Sequence, residues 1–162
     1  MNAAASDGLR FEGAAPAPSA ERVAAFEAFH EVALPADYVA LLARANGAVP
    51  SRRVLAAASG PRAIDRFLAL LDRPPRDHEL GWAAIDVVMT QLDGRIAVDE
   101  DAVDAALVPI AALVNGDMAC LDYRMPGVAG VVLWDHEASE ELAPVTEPLA
   151  PSVTALLDLL RD

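Results

Sequence analysis

The chain has 162 residues, enough for one domain, and a domain of that size hides roughly 70% of its unfolded surface. Its 25 Asp plus Glu against 12 Lys plus Arg give a formal charge of −13, which repels phosphate backbones and anionic lipid. That balance counts against nucleic acid and membrane partners and favours solubility or a basic protein partner. The single cysteine, Cys120, excludes an internal disulfide framework and any Cys-rich zinc motif.

In chain order, MNAAASDGLRFEGAAPAPSAER lacks a basic stretch followed by an apolar one, and no run of ~18 apolar residues follows anywhere. The expectation is a cytoplasmic protein without a standard export signal or membrane span. Residues 1–18, rich in Ala, Pro, Gly and Ser, read as a flexible tail, and residues 19–162 as a single domain. Ser19 suits the N-cap of a helix to about Val32, with Val23, Phe26 and Phe29 at helical spacing and His30 beside that stripe. LPADYVALLARANG is the best-punctuated helix. Pro35 suits its first turn, Tyr38, Leu41, Leu42 and Ala45 share a face, and Asn46-Gly47 supplies a left-handed stop. RVLAAAS reads as a short strand, and Ala63 to Leu71 is open between a buried strand and a short helix, ended by Pro74 and Pro75. Trp82, Ile85, Met89 and Leu92 form a helical stripe that Gly94 terminates, and the acidic run Asp99 to Asp104 reads as a solvated turn.

From Leu107 the texture becomes β. LVPIA reads as a short strand whose Pro109 suits an edge or a strand start, and NGD is a turn around Gly116. MACLDYR and VVLWDHE read as antiparallel strands joined through MPGVAG. Ser152 caps a last helix with Val153, Leu156, Leu157 and Leu160 on one stripe. The pattern is that of an α+β domain.

Chemistry is harder to find. If VVLWDHE stays extended, Asp135 and Glu137 share a face with Leu133, while His136 shares the other with Val132 and Trp134. The Asp-His-Glu tripeptide then cannot converge on one point. His30, His78 and His136 are far apart and no HxxxH or HExxH spacing occurs, so no metal ligand is assigned. GxGxxG, GxxxxGK[ST] and GxSxG are absent as well, so neither a cofactor cradle nor a nucleophile elbow is expected. Cys120, between Ala119 and Leu121, reads as a packed thiol, and no catalytic residue is assigned. A Cys120–His136 pair across paired strands is kept as a remote hydrolase alternative. Asp117 and Asp122 read as a turn acid and a strand acid, structural or solvated.

Taken in order, LPADYVALLARANGAVP, AIDRFLAL, LVPIAALVNGDMACLDYR and GVVLWDHE resemble the SMI1/KNR4 family of the SUKH superfamily. The matching positions are Leu34, Pro35, Tyr38, Leu42, Asn46, Gly47, Pro109, Ile110, Ala111, Gly116, Asp117, Cys120, Leu121, Asp122, Trp134, Asp135, His136 and Glu137, within about residues 34–160. The resemblance implies a central, mostly antiparallel sheet flanked by helices and no enzymatic activity. It also implies that motif positions such as Pro35, Tyr38, Asn46, Gly47, Gly116, Asp117, Asp122 and Trp134 hold the fold. Many bacterial members resemble immunity proteins that neutralise a cognate toxin, often a nuclease, whereas fungal relatives are regulatory or scaffold proteins, which is the alternative reading. From charge alone, the candidate partner-binding residues are Asp99, Glu100, Asp101, Asp104, Asp135, Glu137, Glu140 and Glu141.

Overall fold

The computed structural model describes residues 8–162. In chain order its elements are β1 (Phe11–Glu12), α1 (Ala20–His30), α2 (Ala36–Ala45), β2 (Val49–Pro50), β3 (Val54–Ala57), β4 (Gly60–Phe67), α3 (Ile85–Leu92), β5 (Leu107–Leu113), β6 (Met118–Asp122), β7 (Gly130–Trp134), β8 (Thr146–Ala150) and α4 (Val153–Leu159). Strands β3 to β8 form one antiparallel sheet in which each strand pairs with the next in sequence, and β1 pairs with β2 in a second, small sheet. The α+β architecture is therefore the expected one, built from local hairpins.

Side-chain alternation divides the sheet into two faces. Ala119, Leu121, Val131 and Leu133 join the main core with Phe26, Tyr38, Leu42 and Leu156, whereas Cys120, Val132 and Trp134 meet Leu107 and Ile96 in a second cluster. Burial of each such Val, Leu or Phe side chain contributes about 1.5–3 kcal/mol. The antiparallel pairing of β6 with β7 places Cys120 opposite Val132 and Met118 opposite Trp134. Ser19 caps α1 by accepting from the Arg22 N–H at 3.1 Å, and Ser152 caps α4 by accepting from the Ala155 N–H at 3.0 Å.

Several expectations are corrected. The tail does not extend to residue 18: Leu9 is buried and Phe11–Glu12 pairs with Val49–Pro50. The Phe11 ring also meets Phe67 edge-on with centroids 6.1 Å apart. Leu9 and Phe11 supply this arm with apolar anchors, and the Ala15 N–H donates to the Asn46 carbonyl at 2.8 Å; residues 1–7 lie outside the described residues. The open segment from Ala63 resolves as strand β4, continued by a buried extended stretch in which the Leu68 N–H donates to the Ile110 carbonyl at 2.8 Å. Phe29 leaves the α1 stripe and is 80% exposed, and Trp82 leaves the α3 stripe and is 59% exposed. The reason for Trp82 is a separate 3₁₀ turn, Gly81–Ala83, which ends before α3 begins and puts the indole under the Arg66 guanidinium, 5.4 Å from the ring centroid.

Strand β5 is not an edge. It lies between β4 and β6, and Pro109 is tolerated there because the register slips at Pro109/Ala111, a bulge that spares its missing donor. The stop after α2 is divided. Gly47 takes the left-handed conformation with φ +73°, but Asn46 has φ −58°. Buried Asn46 serves as a clamp, with Nδ2 donating to the Pro16 carbonyl at 2.9 Å and the Leu70 carbonyl at 2.8 Å, and Oδ1 accepting from the Leu70 N–H at 2.8 Å. Strand β7 ends at Trp134, so the alternation expected through Glu137 does not apply. Strands β1, β2 and β8 were not anticipated at all.

Candidate functional site

Past the end of β7 the chain turns, and the turn folds over the Asn115-Gly116-Asp117 turn between β5 and β6. A Cβ on Gly116 would meet the His136 ring at 3.3 Å, so glycine is what lets the imidazole lie against this turn. Asp117, 2% exposed, is the hub. Its Oδ1 lies 2.6 Å from His136 Nδ1 and accepts from the His136 N–H at 3.0 Å, while Oδ2 accepts from Asn115 Nδ2 at 2.9 Å and Arg62 Nε at 3.2 Å. Burial opposes the carboxylate charge, but the bonds from His136, Asn115 and Arg62 outweigh it and hold Asp117 at about 2.

Asp135 faces its own turn, with Oδ1 accepting from the Glu137 N–H at 2.9 Å and the Ala138 N–H at 3.0 Å. Beneath it, Arg95 ties the turn to the segment that follows α3. Its guanidinium donates to the carbonyls of His136 and Ser139 and lies 5.1 Å from the Trp134 ring centroid, and its own carbonyl accepts from Trp134 Nε1 at 3.0 Å. Asp117, Asp135 and His136 bring one potential metal-ligating atom each within 4.8 Å of one another. Arg62 shares that site as a fixed cation and every Asp117 oxygen already accepts two bonds, which suits a structural latch better than a cation cage. Two of the three residues of the Asp-His-Glu tripeptide do converge, because the strand has ended; the third member of the cluster is Asp117 and not Glu137.

The Cys120–His136 pair does not form. Cys120 is 0% exposed in the Trp134 cluster, burial pushes its thiol up, and His136 lies two residues beyond the strand position facing Met118. His78 is also taken, its Nδ1 accepting from the Leu80 N–H at 2.9 Å.

On another part of the surface a groove of about 910 Å³ runs between α1, α3 and the 97–106 loop. Phe26, Met89, Ile96 and Leu107 line its floor, and Phe29, Val98 and Val103 stand exposed around it. Both arginines on its walls are occupied: Arg22 pairs with Asp86, and Arg124 grips Asp122 through Nε at 2.9 Å and Nη2 at 3.0 Å. His30 Nε2 is 3.9 Å from Asp86 Oδ1, and His30 together with Arg22 holds Asp86 below the usual carboxylate range despite its partial burial. Asp93, Asp99 and Asp104 on the groove are exposed and pair with no cation among the described residues.

The family model described as SMI1 / KNR4 family (SUKH-1) matches residues 17–159. The chain belongs to the SMI1/KNR4 family. Comparison with curated proteins and with solved structures returns no match. In this SMI1/KNR4 chain the motif positions are distributed through the fold. Pro35 precedes α2, Tyr38 is buried with no hydrogen-bond partner for its Oη among the described residues, Trp134 fills the second cluster, and Asp122 binds Arg124. The acids proposed from charge fall into two groups. Asp99, Glu100, Asp101 and Asp104 occupy the exposed groove loop, and Glu137, Glu140 and Glu141 the exposed turn after β7; Asp135 is half-buried and turned inward. Sequence reading missed Arg62, which reaches Asp117 across 55 residues, and it missed the groove. No local pattern signals either.

Proposed function

We propose that this SMI1/KNR4 chain is a cytoplasmic, non-enzymatic protein-binding module, an immunity protein that neutralises a toxin domain with a basic surface, such as a nuclease. The observation that carries this reading is the family match over residues 17–159. The formal charge of −13 supports it, because a nuclease needs positive surface for its phosphate substrate and an acidic inhibitor both steers toward that surface and covers it. Burial of Cys120 and engagement of His136 by Asp117 weigh against the hydrolase alternative. No described helix is long and apolar enough to cross a membrane.

The test is to search the genes flanking this one for a toxin domain and to co-express the two. Rescue of growth is expected, with an association rate that falls steeply as the Debye length drops below ~8 Å. Absence of rescue would return the chain to the regulatory alternative, and a salt-independent association rate would remove the charge argument.

A further inference from the structure

We propose that the groove between α1 and α3 is the docking site for a basic amphipathic helix of the protein partner. The inference rests on the protein-binding reading and specifies its surface.

The first argument is apolar. Phe29, 80% exposed, stands at the groove together with Val98 and Val103, around a floor that includes Phe26 and Ile96. Exposed aromatic and aliphatic side chains gathered at a concave site are what an interface hot spot looks like before its partner arrives. The second is charge. The wall arginines are neutralised by Asp86 and Asp122, whereas Asp93, Asp99 and Asp104 face the groove without a cation, and Glu100 and Asp101 extend the same loop. The potential left over is negative, and its complement is a segment bearing Lys or Arg beside its apolar anchors. The third is shape. Two helices and a loop form the walls, and the strand that contributes to the floor, β5, is paired on both sides, so no free strand edge is available for an added strand. A concave, mainly apolar surface between two helices fits an apolar helix face laid into a groove.

The probe is a synthetic Leu/Lys peptide with Leu at i, i+3, i+4 and i+7, compared with its scrambled isomer of equal charge and a Leu/Glu counterpart. Fluorescence anisotropy against the full chain is expected to show the patterned Lys peptide binding about tenfold tighter than its isomer and the Glu peptide not binding. Combining Phe29→Ala with Val103→Ser should lose about tenfold. Asp99→Asn with Asp104→Asn should lose several-fold and flatten the salt dependence, while Glu137→Gln with Glu140→Gln should change affinity less than about twofold. Val103→Ser alone, at a side chain 74% exposed, serves if the double variant folds poorly. Equal binding of the two Lys isomers, or undiminished binding by the Phe29 and Val103 variants, overturns the proposal. Toxin rescue that survives the groove substitutions rejects the groove and leaves the immunity reading intact. Groove-dependent peptide binding without toxin rescue does the reverse.

Discussion

Replacing Asp117 with Asn removes the charge on which four donors converge, at a side chain only 3% exposed. One oxygen survives in the amide, but an NH₂ group now confronts either Arg62 and Asn115 or the His136 ring and N–H. Breaking a buried pair by removing one partner costs roughly 3–5 kcal/mol. Arg62 and His136 keep part of their surface in water, which lowers the expected loss to about 2–3 kcal/mol at pH 7. Its pH dependence is specific. Asp117 titrates at about 2 in the folded protein against an ordinary 3.8, so the unfolded chain binds more protons between those values. The stabilisation is complete above about pH 4 and is lost as pH falls toward 2, and the difference is worth about 2 kcal/mol. Urea unfolding followed by tryptophan fluorescence, whose change reports chiefly on buried Trp134 because Trp82 is already exposed, measures both effects. The gap between wild type and Asp117→Asn should close by about 2 kcal/mol between about pH 4.5 and about pH 2. Parallel pH profiles, or a gap under ~0.5 kcal/mol at pH 7, would refute the latch.

Tyr38→Phe deletes a buried hydroxyl that has no partner among the described residues. Thermal or urea unfolding should show stability unchanged or raised by up to ~1 kcal/mol, and a loss greater than that would mean the hydroxyl is bonded after all. Native Cys120 should resist an aromatic disulfide reagent until the chain unfolds, because the thiol is buried and burial pushes its pKa up. Cys120→Ser should cost about 1–3 kcal/mol for an unsatisfied hydroxyl, and rapid labelling of the folded protein would contradict the packing described. A Cβ at Gly81 would collide with the Pro75 backbone carbonyl, whereas one at Gly94 would meet the end of the Glu141 side chain. Gly81→Ala is therefore expected to cost about 2 kcal/mol or more and Gly94→Ala under ~1 kcal/mol, because a carboxylate can swing aside and a backbone cannot. Equal unfolding midpoints for the two variants would contradict that distinction.

How much was legible depends on how local the cause was. Ser19 and Ser152 announce helix starts because a cap acts on N–H groups three residues away, and the β6–β7 hairpin announces itself through two apolar runs around a Pro/Gly loop. Strand parity also placed Val132 and Trp134 on one face, as the second cluster shows. What failed was decided at a distance. Phe29 has the spacing of a core residue, but the surface it would cover is the open groove. Asn46 looked like a turn residue and became a clamp, because the N-terminal arm and the stretch after β4 both bring backbone groups to it.

By itself the sequence determined the α+β class, the helix caps, the paired strands, the family and the acidity, all of which follow from periodicity, short-range hydrogen bonding, composition or ordered motifs. Only tertiary structure decided what those residues do to one another. Strand β7 stops at Trp134, so His136 swings onto Asp117, and Arg62 arrives from 55 residues away to complete the latch. The groove likewise exists only once α1, α3 and the 97–106 loop are assembled. The physical reason is common to both: a charge is neutralised, or an apolar face covered, by whatever the folded chain brings within a few ångströms, and sequence separation carries no information about that distance.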